Sequence, residues 1–205
     1  MDEHFKIFVA KFGPQFGRRE APPSSIDRYR GILPDPLLKF WDEVGWSGYA
    51  DGLFWVVNPQ EYEGIIIDWL DGTWLEGKDR FHVIARSAFG QLFLWGEKYG
   101  QTVTIDTLGS YAVTPIEFTL LPANLDEEIL FFFLCLGKEA CDFDGMFAEA
   151  LSRLGRLDVD EMYSFMPALA LGGPREASRL EKTDVIEHLT FLAQLDDLEM
   201  VNLPE

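Results

Sequence analysis

Hydrophobic positions along the chain change period twice. Near the start, Phe5, Phe8, Val9 and Phe12 recur three and four residues apart, which predicts a short amphipathic helix. The stretch 21–25 then breaks the chain. Asp35 is placed to cap a second helix whose first position is Pro36, with Leu37, Phe40, Trp41 and Val44 as its apolar stripe and Gly45 as its end. From Gly52 the pattern becomes continuous apolar runs of strand length. One covers 53–57 and stops at Asn58-Pro59; runs at 82–86 and 91–95 flank Ala88-Phe89-Gly90; runs at 102–105 and 110–113 flank Thr107-Leu108-Gly109. Short strands joined by tight turns predict an antiparallel sheet. A helix over 59–69 interrupts it, with Tyr62, Ile65, Ile66 and Trp69 on one face. Beyond Pro122 the period is helical again: a helix from Asn124 or Asp126 to Leu136, one from Asp142 or Asp144 to Leu154, a short one from Asp158 to near Pro167, and one from Thr183 or Asp184 to Leu195. The apolar stretch 167–173 is expected to join two of these helices. The expected class is α+β: an antiparallel sheet with flanking helices over 1–121, followed by a helical C-terminal part over 122–205 packed against it.

The chain has 205 residues, which fits one compact domain or two small ones. A hydrophobic content of 47% excludes intrinsic disorder, because the chain carries enough apolar surface to offset the entropy of ordering. Acids outnumber bases 35 to 17, for a formal net charge of -18. That balance argues against nucleic acid and against anionic membrane surfaces, both of which are held by clustered Lys and Arg. It leaves a basic partner, a cation, or solubility as its meaning. The acids are uneven: residues 1–120 hold 17 acids and 11 bases, residues 121–205 hold 18 and 6, and all six tryptophans lie in the first part. The opening Met-Asp-Glu-His has acids where a secretory leader has basic residues. The longest apolar run, 129–136, is far below the roughly 20 residues that cross a bilayer. Two cysteines, Cys135 and Cys141, make no disulfide scaffold, and a cytoplasmic protein is expected.

Chemistry-bearing patterns are weak. Gly72-Thr73-Trp74-Leu75-Glu76-Gly77-Lys78 matches a phosphate loop as far as the lysine, but Asp79 follows where a magnesium-binding hydroxyl belongs, and the stretch reads as a surface turn. His4, His82 and His188 are scattered, and the two cysteines have no second thiol pair, so neither metal nor cofactor is expected. Asp142, Asp144 and Gly145 only superficially open a calcium loop. No nucleophile elbow is present, spacing selects no carboxylate pair, and no catalytic residue is assigned. The aromatic group Trp41, Trp46, Tyr49, Phe54, Trp55, Tyr62 and Trp69 reads as core, with a partner-binding patch as the other reading.

Two blocks carry a family likeness. The stretch 34–41, Pro-Asp-Pro-Leu-Leu-Lys-Phe-Trp, then 45–55, Gly-Trp-Ser-Gly-Tyr-Ala-Asp-Gly-Leu-Phe-Trp, and 83–92 resemble the GAD-like domain family. The stretches 155–163 and 167–173 and Glu187-His188-Leu189 resemble the C-terminal domain of type VI secretion immunity proteins. The resemblance implies a protein that protects a bacterium by binding a cognate DNase toxin as a heterodimer, with no turnover. It supplies no inhibitory residue. Charge does supply candidates, since a nuclease surface that attracts phosphate is basic. In the more acidic half these are Glu139, Asp142 and Asp144 at one helix junction and Asp158, Asp160 and Glu161 at the next, set against a role as helix caps and solvated faces. Two rivals remain open: an adaptor or chaperone that loads an effector for secretion, and a carboxylate-dependent hydrolase.

Overall fold

The computed structural model describes residues 2–115, 117–118 and 121–202. Seven helices and ten strands alternate along it, and the class is α+β as expected. The first helix, α1 (Glu3–Phe12), is started by Asp2, whose carboxylate accepts the His4 N–H at 2.8 Å. A strand that the sequence pattern does not announce, β1 (Phe16–Arg19), precedes α2 (Pro23–Tyr29), so the expected break at 21–25 holds the start of a helix. In α3 (Asp35–Val44), Asp35 lies inside the helix and does not cap it. Its N–H is donated instead to the Asp126 carboxylate at 3.0 Å, so one helix start serves another.

Strands β2 (Trp46–Tyr49), β3 (Phe54–Val56), β4 (Phe81–Ser87), β5 (Leu92–Gly96), β6 (Gly100–Asp106) and β7 (Tyr111–Thr114) continue from β1 as an antiparallel meander. Helix α4 (Glu63–Leu70), preceded by a 3-10 turn at Pro59–Tyr62, interrupts it where the periodicity placed a helix. The runs are continuous and not alternating because β3, β4 and β5 are buried along their whole length, on both faces. On one face Phe54 meets Phe8, Phe12 and Phe133. On the other, its neighbour Trp55 packs on Phe16 and Arg86. Helix α5 (Leu125–Cys135) supplies Phe133, which also touches Phe5 and Phe40, so α1, α3 and α5 share one aromatic core. Trp41, Trp46, Tyr49, Phe54, Trp55, Tyr62 and Trp69 are all buried core, as read from their spacing.

Past α6 (Phe147–Leu154) the helical expectation fails in one place. The segment 158–167 forms no helix but the strand β8 (Glu161–Phe165), paired antiparallel with β9 (Leu180–Asp184) in a separate two-stranded sheet. The reason is tertiary. Met162, Tyr163, Ser164 and Phe165 are all buried, and the Tyr163 N–H bonds the Ala88 carbonyl at 2.8 Å, which a helix facing solvent on one side cannot do. The stretch 167–173 therefore links two strands, not two helices. Helix α7 (Val185–Leu192) starts at Asp184, whose carboxylate accepts the Glu187 N–H at 2.9 Å. Finally β10 (Glu199–Asn202) returns to the large sheet as a parallel neighbour of β7.

Candidate partner-binding surface

The six acids chosen from sequence fall on two segments that both touch one turn of the first part. Phe89, in the β4–β5 turn, packs on Phe143 and on Tyr163. The first trio lies between α5 and α6. Glu139 sits exposed in a single 3-10 turn, Lys138–Ala140. Asp142 is half-buried and its carboxylate accepts the Phe147 N–H, the first of α6, at 2.9 Å. Asp144 pairs with Arg175 at 2.6 Å, and that guanidinium lies 4.4 Å from the Phe143 ring centre. Asp142 and Asp144 join Asp106, Tyr111 and Arg175 around a polar cavity of about 160 Å³ at the seam between the two parts. Asp106 is almost wholly buried there. Burial pushes its carboxyl above the usual value, and bonds from the Gly109 N–H and the Tyr111 hydroxyl oppose the rise.

The second trio opens β8. Asp158 and Asp160 are exposed. Glu161 is not a free charge: its carboxylate accepts the Asp158 N–H and the Lys182 ammonium, both at 2.9 Å. Partial burial would raise its pKa, but those two partners together hold it below the usual glutamate value.

Sequence reasoning missed the residue that holds this segment in place. Arg86, in the middle of β4, is wholly buried, and its guanidinium donates to the Val159 carbonyl at 2.9 Å, to Glu161 at 3.0 Å and to Ser87 at 3.2 Å. It lies 5.1 Å from the Trp55 ring centre. Burial lowers its pKa, with the Tyr62 hydroxyl and the Asp160 charge acting in the other direction. The available signal was an arginine inside the apolar run Val83-Ile84-Ala85-Arg86-Ser87-Ala88, since such a charge must find acceptors on another segment.

The surface offers little for chemistry. Ser164 Oγ and His188 Nε2 stand 2.5 Å apart, a nucleophile-and-base distance, but Ser164 has no exposed surface through which a substrate could reach it. Among the described residues no three His, Cys, Asp or Glu side chains group to hold a metal ion. In the phosphate-loop lookalike Glu76 accepts the Gly72 N–H at 3.3 Å, an amide an anion would need, while Asp79 accepts the Lys98 and Tyr99 N–H groups of the β5–β6 turn at 3.0 and 3.1 Å. Cys135 is exposed; Cys141 is buried, and burial pushes its thiol up. Among the described residues no helix is long and apolar enough to cross a membrane.

With this geometry in view, comparison with known proteins is informative in two places. The family model for the GAD-like domain matches residues 3–109, and the model for the C-terminal part of the T6SS immunity protein Tdi1 matches residues 126–196. The crystal structure of Atu4351 from Agrobacterium tumefaciens superposes on 98% of this chain and 93% of its own with a TM-score of 0.87, at 23% sequence identity, which is a likeness of fold. No curated protein matches the chain.

Proposed function

The chain belongs to the GAD-like domain family, and from this premise we propose that it is a type VI secretion immunity protein, which binds and neutralises a cognate DNase effector one-to-one in the cytoplasm of the cell it protects. The observation that carries this reading is the match of residues 126–196 to the C-terminal part of the immunity protein Tdi1, directly downstream of the GAD-like match. The charge supports it. A nuclease must attract phosphate, so its surface is basic, and a partner with a net charge of -18 is drawn to it over distance. The exposed carboxylates Glu139, Asp158 and Asp160 are candidates for that steering, while Asp142, Asp144 and Glu161 also hold the local structure.

The test is stoichiometric. Purified protein mixed with the nuclease encoded beside it abolishes DNA cleavage at about equal molar amounts, and the two copurify as a 1:1 complex. Cleavage that persists in excess protein overturns the reading. Deleting the gene while the effector is present stops growth; an adaptor for secretion would instead lose only delivery.

A further inference from the structure

Beside the start of β4, α4 carries the sequence Glu-Gly-Ile-Ile-Ile-Asp-Trp-Leu. Ile65, Ile66, Trp69 and Leu70 turn into the core, but Ile67 is 69% exposed. A β-branched residue there buries little of its surface and has poorer helix propensity than the Lys or Glu usual on a solvent face, so the fold gains little from it. A single exposed apolar side chain is ordinary; its setting here is not. Ile67 edges a cleft of about 370 Å³, within the size range of ligand-sized clefts, whose apolar wall continues through Ile66, Leu70, Leu75 and Phe81.

The rim of this cleft is acidic. Glu63, Asp71, Glu76 and Asp79 stand against one cation, Arg80, which already faces Glu97 at 3.7 Å, and Glu97 is also 2.9 Å from His82 Nε2. Glu63 is paired with Arg28 at 2.6 Å. Asp79 and Glu76 accept only backbone N–H groups, which fix carboxylates in place without cancelling their charge. The turn that resembles a phosphate loop in sequence thus forms the acidic lip of a cleft that repels phosphate.

We propose that this cleft is the anchoring site for the effector, receiving a basic segment in which one apolar side chain, flanked by Lys or Arg, packs between Ile67 and the cleft wall. The proposal rests on the immunity reading and adds where the partner docks and what chemistry it presents. Charge selects the occupant. A second copy of this chain brings -18 to an acidic rim, and nucleic acid or an anionic membrane brings more negative charge, so a basic protein segment is the complementary partner.

The test uses the full chain and the nuclease encoded beside it. Ile67→Ser touches only an exposed side chain and leaves the melting temperature unchanged. It weakens the complex by roughly 10- to 100-fold through faster dissociation, as expected for an apolar anchor lost from the centre of an interface. Asp71→Lys with Glu76→Lys slows association about tenfold at low salt, and the difference shrinks as salt is raised. Wild-type protein that binds while both variants bind equally well overturns the cleft and leaves the immunity reading standing. A loss confined to the charge variant overturns the apolar anchor. A wild-type dimer in sedimentation that Ile67→Ser dissolves assigns the cleft to a second copy and also overturns the proposal. Wild-type protein that binds no such nuclease removes both readings together.

Discussion

Replacing Arg86 by Met tests whether one buried cation fastens the two parts of the chain. The guanidinium gives two hydrogen bonds to carbonyls of the second part, at Val159 and Glu161, and net values for bonds from a charged donor run at about 1.5–3 kcal/mol each. Its contact with Trp55 adds roughly 0.5–2 kcal/mol. Against this stands the desolvation of a charge with no carboxylate bonded to it and an Nε–H that lacks an acceptor among the described residues, a cost of several kcal/mol. Guanidinium is the most weakly hydrated of the basic groups, so the bonds win and the loss on substitution is about 2–3 kcal/mol, a large share of a stability of roughly 5–15 kcal/mol. Arg86→Lys is worse, because an ammonium pays more to be buried and cannot fork between two carbonyls.

The assay must separate the parts. All six tryptophans lie between Trp41 and Trp95, so fluorescence during urea unfolding reports the first part, whereas hydrogen exchange of the β8 amides, Glu161–Phe165, reports the second. Arg86→Met speeds exchange in β8 well before β5 and β6 are affected. If β8 keeps wild-type protection, or Met proves as stable as Arg, the reasoning about this buried cation is wrong.

Burial holds the His188 pKa below its ordinary value, so the unfolded chain takes up a proton first. Stability is then full above about pH 6.5 and falls as pH drops from there towards the lowered folded value; His188→Gln removes that part of the slope, measured by urea unfolding across pH 5 to 8. Gly45 ends α3 with φ +69°, and a Cβ there would collide with the Arg19 carbonyl of β1, so Gly45→Ala destabilises by about 2 kcal/mol or more in thermal unfolding. Asp158→Lys with Asp160→Lys slows association with the effector and flattens its salt dependence, with some loss of melting temperature because the Asp160 charge favours the buried Arg86 cation, and Glu161→Lys lowers the melting temperature because it sets two cations, residue 161 and Lys182, against each other. Unchanged association kinetics for the first pair would exclude that segment from steering.

Much of the first part was legible because its signals are local. Apolar runs ended by Asn58-Pro59 or by Ala88-Phe89-Gly90 specify strand and turn within a few residues, and the sheet follows from joining neighbours. What escaped depends on partners distant in sequence. Phe16–Arg19 is a strand because Trp46–Tyr49 lies beside it, and Glu199–Asn202 because β7 offers a free edge. The 158–167 segment misled for the same reason. Its spacing suits a helix, but Leu180–Asp184 and the Ala88 carbonyl are waiting for an extended chain.

The acids show how far charge patterning reaches. Composition led to the expectation of a basic partner, yet it could not tell a carboxylate that waits for a partner from one already serving the fold. Asp142 bonds the first N–H of α6, Asp144 holds Arg175, and Glu161 holds Lys182; Glu139, Asp158 and Asp160 stand exposed without an ion pair among the described residues, though the Asp160 charge also favours the buried Arg86 cation. Steering needs only exposed charge anywhere on the facing hemisphere, whereas a lasting contact needs apolar area that water leaves. The exposed Ile67 beside an acid-rimmed cleft meets the second requirement; helical spacing already set Ile65 and Ile66 on the buried face and left Ile67 off it, but the cleft it edges depends on how α4 sits on β4. On the proposed reading, capture by the acidic half and retention by the α4 cleft are separable. Charge variants at 158 and 160 change the rate of arrival, and Ile67→Ser changes the rate of departure.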